Sequence, residues 1–483
     1  MVSRDIRWHV IILGFGFFLA TTLRDNDLFW HLRVGEWIVS QQKLPTVDLW
    51  TAVGYLQPWR PYSWLFELII GLGNVLGGLS TLVCLQLVLA IGYSYALAGL
   101  FFVCSNSAWF SLLLTGAAVL GSAGHFSLRP QAIVWLLFCF LLTAIQKNIK
   151  ERAWGGSLIV LVAIFIAWSN IHLSAVIGIA TLALWGIDSI QQLRARLFPV
   201  FFSLLSTCIT PHYGGEWLSL LESGAHPLTH KLIAEFQSAT LAQFPTAILF
   251  LLWMVYGVLS YKVKHLPKGT VAIMLGLTAA GCVANKFIPF ALIAILAGVA
   301  QHWISTMVDG GGDNIRSRFV LGINRFLGLI EALPPVGFSF LIACFIYLKW
   351  NKLFLEKIDS KIFPTMVSKF IADTKPVGTI LTSFGMGGFV GYSIDQAHLV
   401  GVTNVAYDGR TNVITPEVWH EIEEAEYGIG SKGVSLLARF KPPVVIWNNR
   451  SLFVKELRTL GWRDALPPEK LHGSVAVLTP PLQ

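Results

Sequence analysis

The chain has 483 residues, of which 54% are hydrophobic and 13% charged, with a mean hydropathy of +0.64. Soluble domains carry about 25% charged residues, so an ordinary soluble enzyme is excluded. The net charge of +8 is spread thinly and forms no basic stripe, which argues against nucleic-acid binding.

Charge is also unevenly placed. About one residue in five is charged from Asn351 onward, against about one in ten before it. The chain therefore divides into a membrane-embedded body, 1–350, and a water-soluble domain, 351–483. All six cysteines (Cys84, Cys104, Cys139, Cys208, Cys282, Cys344) fall in apolar segments and read as small buried hydrophobes.

Arg4 and Arg7 precede an apolar run at 8–23. No small-residue cleavage site follows it, so the expectation is a retained first span. Further apolar runs occur at 81–103, 108–124, 131–147, 154–169, 172–188, 197–210, 246–261, 269–284, 286–304 and 330–349. That gives about eleven spans. The stretch 63–80 is shorter, contains Glu67 and dissolves into Gly71, Gly73, Gly77 and Gly78.

The positive-inside rule decides its status. If 63–80 does not span, the N-terminus and the loops bearing Lys150, Arg152, Arg194, Arg196, Lys262, Lys264, Lys268, Arg316, Arg318 and Arg325 share the cytoplasmic side. If it spans, nearly all these charges face outward. The first assignment wins. It puts the N-terminus in the cytoplasm and the C-terminal domain outside. Residues 24–80 become one external loop with two helices lying on the membrane surface, near 29–42 and 63–78. Gly310-Gly311-Gly312 falls in a cytoplasmic loop and reads as a flexible link.

The polar motifs then collect on the external face. The first loop opens Arg24-Asp25-Asn26-Asp27-Leu28-Phe29-Trp30-His31-Leu32-Arg33 and runs on through Pro45, Asp48, Pro58-Trp59-Arg60-Pro61 and Glu67. Later spans end at Arg129-Pro130-Gln131, Trp168-Ser169-Asn170-Ile171-His172, Thr210-Pro211-His212-Tyr213-Gly214 and Asn285-Lys286. Ionisable groups at a membrane interface are costly unless they pair or line water, so their convergence suggests an active cleft. Asp25 and Asp27 are either solvated interfacial acids or a carboxylate pair. Such a pair serves as general base or as ligand to a divalent cation, Mg²⁺ or Mn²⁺. His31, four residues after Asp27, shares its helix face. Arg129 and Lys286 either snorkel to lipid headgroups or grip a phosphate. No HExxH or GxSxG motif occurs, so metalloprotease and serine-hydrolase chemistry are set aside.

In the terminal domain, strands are expected at Gly378–Leu381, Leu399–Thr403, Val444–Trp447 and Ser474–Leu478, and helices near 416–427 and 450–460. This is a small α/β domain. Gly385, Gly387, Gly388 and Gly391 form a strand-to-helix turn that reads as close packing more than as a phosphate cradle. Asp408-Gly409-Arg410 is the turn singled out as functional, for acceptor docking.

The Asp pair after the first span, the amphipathic helix, Pro45, and Pro58 followed by Trp64-Leu65 resemble the first external loop of GT-C superfamily glycosyltransferases. Relatives there include protein O-mannosyltransferases and the lipid A aminoarabinose transferase. The chain is also similar to a group of bacterial membrane proteins sharing the motifs at Asp25–Leu32, Arg129–Gln131, Trp168–His172, Thr210–Gly214 and Asp408–Arg410. Arg129 and Gln131 stand where many GT-C members carry a second acidic residue.

The resemblance implies a multi-span transferase in the bacterial plasma membrane. It would move a sugar from a polyprenyl-phosphate carrier to a lipid, glycan or protein acceptor on the outer face. The family's catalytic Asp falls on Asp25, with Asp27 the close alternative. Arg129, Lys286 and His172 would hold the carrier phosphate, and His31, Glu67, Gln131, Asp408 and Arg410 join the candidate substrate-binding residues. Two other classes stay open. One is a non-catalytic scaffold whose outward domain binds partners. The other is a lipid or glycan transporter, disfavoured because no internal repeat is visible.

Overall fold

The structure, a computed structural model, describes residues 6–151, 157–224, 234–260, 266–308, 321–323, 325, 328, 335–427 and 433–481. Gly310-Gly311-Gly312, Arg4, Arg152, Lys262, Lys264, Arg316 and Arg318 lie outside the described residues. The chain forms two compact units. The first comprises Met1–Thr21, Gln86–Leu218 and Ile233–Leu353; the second comprises Thr22–Leu85, Ser219–Leu232 and Phe354–Gln483.

Helices occupy all eleven apolar stretches: α1 (Ile6–Leu19), the later part of a helix running Trp64–Ser105, then Ala108–Ser122, Pro130–Glu151, Leu158–Ile171, Ala175–Leu184, Ile190–Ser206, Phe244–Ser260, Lys268–Val283, Ile288–Val308 and Pro335–Leu355. Among the described residues, three helical segments are long and apolar enough to cross a membrane: Trp64–Ser105, Pro130–Lys150 and Asn285–Trp303. Ile6–Leu19 and Leu158–Ile171, at 14 residues each, cover only about 21 Å of a roughly 30 Å hydrocarbon core. Each of the eleven apolar stretches thus holds a helix, and among the described residues three combine the length and the hydropathy needed to span.

Within the first unit the Ile288–Val308 helix is the core element. Residues Ala291–Ala297 are fully buried, and the helix packs against Ala108–Ser122, Phe244–Ser260 and Lys268–Val283. Trp303 stacks on Phe110 with ring centroids 3.9 Å apart. Helix starts follow capping chemistry. The Ser107 hydroxyl accepts from the Phe110 N–H, and Ser189 and Gln192 form a reciprocal capping box.

The second unit is built on a five-stranded sheet in the order β2 (Thr403–Val405), β1 (Gly378–Thr382), β3 (Val445–Asn448), β5 (Val475–Thr479), β4 (Arg463–Asp464). β1 runs parallel to β2 and β3, whereas β5 runs antiparallel to β3 and β4. Three of the four expected strands lie within a residue of their observed positions. The fourth, expected at Leu399–Thr403, sits instead at Thr403–Val405, because Leu399–Val402 turns the chain out of the preceding helix.

Strand residues alternate between two cores, as a period of two requires. Leu381, Val445, Trp447, Ala476 and Leu478 face one core, while Ile380, Ile446, Val475 and Val477 face the other. The loop after the first apolar helix belongs to this unit. Its helix α2 (Leu28–Gln41) sends Trp30, Val34 and Ile38 into one core and Phe29 into the other. A helix expected to lie on the membrane surface is thus a core element of the α/β domain. Its apolar stripe has the same period whether it meets lipid or a sheet. The loop also extends the sheet edge: the Ala52 and Val53 N–H groups donate to the Val405 and Ala406 carbonyls at 2.9 and 3.1 Å.

α2 crosses the first part of α3 (Trp64–Ser105) at very short range. A Cβ on Gly35 would strike the Glu67 carbonyl, and one on Gly71 would strike the Gly35 backbone. α3 breaks at Gly77 and Gly78, where Gly78 takes a φ of 62° that side chains disfavour. Hence 64–76 is a helix distinct from the longer stretch after it.

Candidate active site

Asp25 and Asp27 sit at the entrance to α2. Asp25 Oδ1 accepts the Asp27 N–H at 3.0 Å, and Asp27 Oδ1 accepts the Trp30 indole N–H at 3.1 Å. Asp27 is the residue that precedes the first helical turn, where the helix dipole favours a carboxylate. Both acids are half-buried. The Asp408-Gly409-Arg410 turn packs directly against them: a Cβ on Gly409 would run into the Asp27 carboxylate and the Trp30 indole nitrogen. Only glycine allows that approach.

Arg410 faces inward. It makes a bidentate pair with Asp408 (Nε to Oδ1 2.9 Å, Nη2 to Oδ2 2.8 Å) and reaches Asp48 Oδ1 at 2.8 Å. Trp59 and Trp50 stand 4.8 and 5.2 Å from its guanidinium. Burial opposes the charge, but Asp408 and Asp48 more than offset it and hold the Arg410 pKa above its ordinary value. Removing one member of such a buried set strands the others and typically costs about 3–5 kcal/mol. Asp48 in turn accepts from the Trp50 N–H and the Thr51 hydroxyl. Asp408 and Arg410 are buried, so they brace the Asp27 side of the site and do not present themselves to an acceptor.

His31 and Glu67 are likewise buried, with Nδ1 and Oε1 3.0 Å apart and the imidazole stacked on Trp30. They support Trp30 from beneath. The glycine turn at 385–391 is explained by packing: Gly387 lies against the Tyr407–Asp408 backbone, Gly388 against Trp30 and Gly391 against Arg33. Sequence reading missed Arg33 and Asp395, which form a bidentate pair at 2.6 and 3.0 Å. Nothing local to either residue announces the other.

Asp25 and Asp27 offer two carboxylates, and one oxygen of Asp27 is taken by the Trp30 indole. Among the described residues no three His, Cys, Asp or Glu side chains are grouped to hold a metal ion. Two carboxylates are the number Mg²⁺ or Mn²⁺ commonly takes from a protein beside water and substrate phosphate, so Asp25 and Asp27 would be the residues to hold such an ion, and no step is assigned to one.

A second cluster lies in the first unit. Arg129, just ahead of the helix opened by Pro130, pairs with Glu235. Gln131 follows in that helix's first turn and is half-buried. Lys286 lies in the turn Asn285–Phe287, its Nζ 3.3 Å from the Phe236 ring centroid. His172 closes the Leu158–Ile171 helix; its Nδ1 accepts the Ser174 N–H at 3.1 Å and lies 2.9 Å from the Ser174 hydroxyl. An acceptor Nδ1 leaves the ring proton on Nε2. His125, not singled out from sequence, belongs to the same group: burial lowers its pKa, with Glu235 and Arg129 close enough to act on it. The other motif residues are structural. Asn170 ties its helix end to the Ile209 carbonyl at 2.8 Å, and the Thr210 hydroxyl donates to Glu216 at 2.7 Å. Among the described residues, two cations against one carboxylate leave this cluster net positive.

Comparison by sequence finds no matching family model and no matching curated protein. Comparison by structure finds extensive likeness. ArnT from Cupriavidus metallidurans bound to undecaprenyl phosphate superposes with a TM-score of 0.54 at 12% identity, over 97% of this chain and 96% of that one. The same protein in its apo state gives 0.50 at 13% identity, over 99% and 98%. The arabinofuranosyltransferase AftD from Mycobacteria gives 0.55 at 12% identity, over all of this chain but 42% of that one.

Proposed function

We propose that this chain, which has the fold of the GT-C glycosyltransferases, transfers a glycosyl unit from a polyprenyl-phosphate carrier to an acceptor hydroxyl. The observation that carries the reading is the likeness, over nearly the full length of both chains, to a structure holding undecaprenyl phosphate. Asp25 is the general base, oriented by the Asp27 N–H. It takes the acceptor proton as the acceptor oxygen bonds to the anomeric carbon. The bond from that carbon to the carrier phosphate breaks, and the phosphate leaves with the electron pair. In the first unit, Arg129, Lys286 and the Nε2–H of His172 are the cluster whose charge suits a carrier phosphate. Asp27, braced by Trp30 and Gly409, is a positioning residue, and Asp408, Arg410, His31 and Glu67 hold that brace. The acceptor side of the membrane is the outer one, by the distribution of Lys and Arg between loops.

The test is carrier release. Purified protein incubated with a panel of polyprenyl-phosphate-linked sugars and a membrane extract supplying acceptors should liberate free polyprenyl phosphate from at least one of them. Asp25→Asn should abolish release and Asp27→Asn should reduce it strongly, with thermal stability near wild type. Full turnover by Asp25→Asn would exclude the assigned base, and full turnover by Asp27→Asn would exclude the positioning role.

A further inference from the structure

The second unit contains a cavity of about 880 Å³, near the upper end of the roughly 300–1,000 Å³ usual for small-molecule sites. Its walls come from distant segments: Glu36 and Trp37 of α2, Trp50 and Tyr55 of the first loop, Asp395, and Asn404 on β2. Arg33 also lines it, is 5% exposed, and is held by both Asp395 oxygens. Glu36 accepts from the Asn74 amide at 2.5 Å, and the Thr379 hydroxyl donates to Asn404 Oδ1 at 2.8 Å. The polar groups are thus fixed in place before any ligand arrives.

The lining chemistry selects the ligand class. An anion is disfavoured, because the one guanidinium in the wall is already neutralised and Glu36 adds a further negative charge. Lys43, 5.6 Å from the Trp37 ring, does not line the cavity. An apolar ligand would bury two carboxylates and an amide against hydrocarbon, with only their existing Arg33, Asn74 and Thr379 contacts to offset the lost water. A metal ion lacks a third ligating side chain among the described residues. Two indoles and a phenol for flat C–H faces, with carboxylate and amide groups at the edge for hydroxyls, match one class: polyhydroxylated rings.

We propose that this cavity binds a short neutral glycan, the acceptor of the transfer reaction. The inference rests on the glycosyltransferase reading for the word acceptor, but not for the binding itself. Glu36 lies nine residues along α2 from Asp27, about 13 Å at 1.5 Å per residue. A glycan anchored there is gripped well away from its reacting hydroxyl. Binding energy from a non-reacting part of the substrate then serves to orient the reacting part.

The experiment uses the full chain in lipid nanodiscs. It is titrated by saturation-transfer-difference NMR with maltotriose, cellotriose, chitotriose and mannotriose, and separately with undecaprenyl phosphate. At least one trisaccharide should bind saturably. Trp37→Ala and Glu36→Gln should weaken that binding at least tenfold and leave undecaprenyl phosphate binding unchanged. Because Trp37 also touches the core, Tyr55→Ala at an exposed position provides a variant whose folding is secure, and it should weaken the same sugar. No binding by any trisaccharide, or binding untouched by all three variants, overturns the inference. Carrier binding without sugar binding would sink this inference and leave the transferase reading standing. Sugar binding without carrier binding would support the glycan site and sink the transferase reading.

Discussion

Arg410 acts from within the core: Asp408 and Asp48 clamp its guanidinium, and the turn they fix keeps Gly409 against the Asp27 carboxylate. Its turn was legible because Asp-Gly-Arg after a strand is unusual. Its partners were not, since Asp48 is brought to it only by the folded chain. What looked like a docking loop is a buried charge set that holds Gly409 against Asp27. The Asp25–Asp27 pair, by contrast, could be picked out directly, because both acids sit within one turn of the helix they introduce. Glu426 offers a check on the electrostatics of this unit. Burial raises its pKa, partly countered by the Phe384 N–H that it accepts at 3.1 Å. A carboxyl whose folded pKa lies above its unfolded one costs stability as pH rises through the unfolded value. Glu426→Gln keeps the acceptor oxygen and removes the charge. It should therefore raise the Tm at pH 8, with the gain vanishing near pH 4. An equal Tm at pH 8 would contradict the assigned shift.

α2 illustrates why helices were easier to foresee than their neighbours. Periodic hydropathy located it within a residue or two, yet the same stripe suits a membrane surface and the face of a sheet. The sheet wins because Trp30, Val34 and Ile38 find Trp59, Trp419 and Trp447 in one packed core. The short edge strand β2 was misplaced for a related reason: its pairing with the first loop is long-range and leaves no local mark. The glycine turn that joins this core to the acids can be tested directly. Gly409→Ala places a methyl group against the Asp27 carboxylate and the Trp30 indole. Transfer should fall at least tenfold and Tm should drop as the turn shifts, while carrier affinity stays near wild type. Wild-type turnover would mean that the Asp27–Trp30 arrangement does not matter to the chemistry.

Hydropathy and charge delineated the apolar stretches of the whole chain, and each holds a helix. They did not foretell that residues 22–85 would fold with 354–483, because that grouping is made by contacts between the ends of the sequence. The proposed topology makes a plain forecast. A reporter active only outside the cytoplasm should give signal when fused after Gln483 and none when fused after Lys150. Signal from the second fusion and silence from the first would invert the assignment and move both acids to the wrong side.

Whether this molecule grips a polyprenyl phosphate is read directly from the affinity of the purified chain for undecaprenyl phosphate. Arg129 is mostly buried and Glu235 competes for it, so an incoming phosphate must share or displace that carboxylate. Wild-type protein should bind. Arg129→Ala should weaken binding by about 1.5–3 kcal/mol, roughly ten- to 150-fold, the usual worth of a charge-assisted hydrogen bond. Arg129→Lys should recover only part of this, since an ammonium cannot make the two-pronged contact. Absence of binding in the wild type, or unchanged affinity in both Arg129→Ala and Lys286→Ala, would contradict the account.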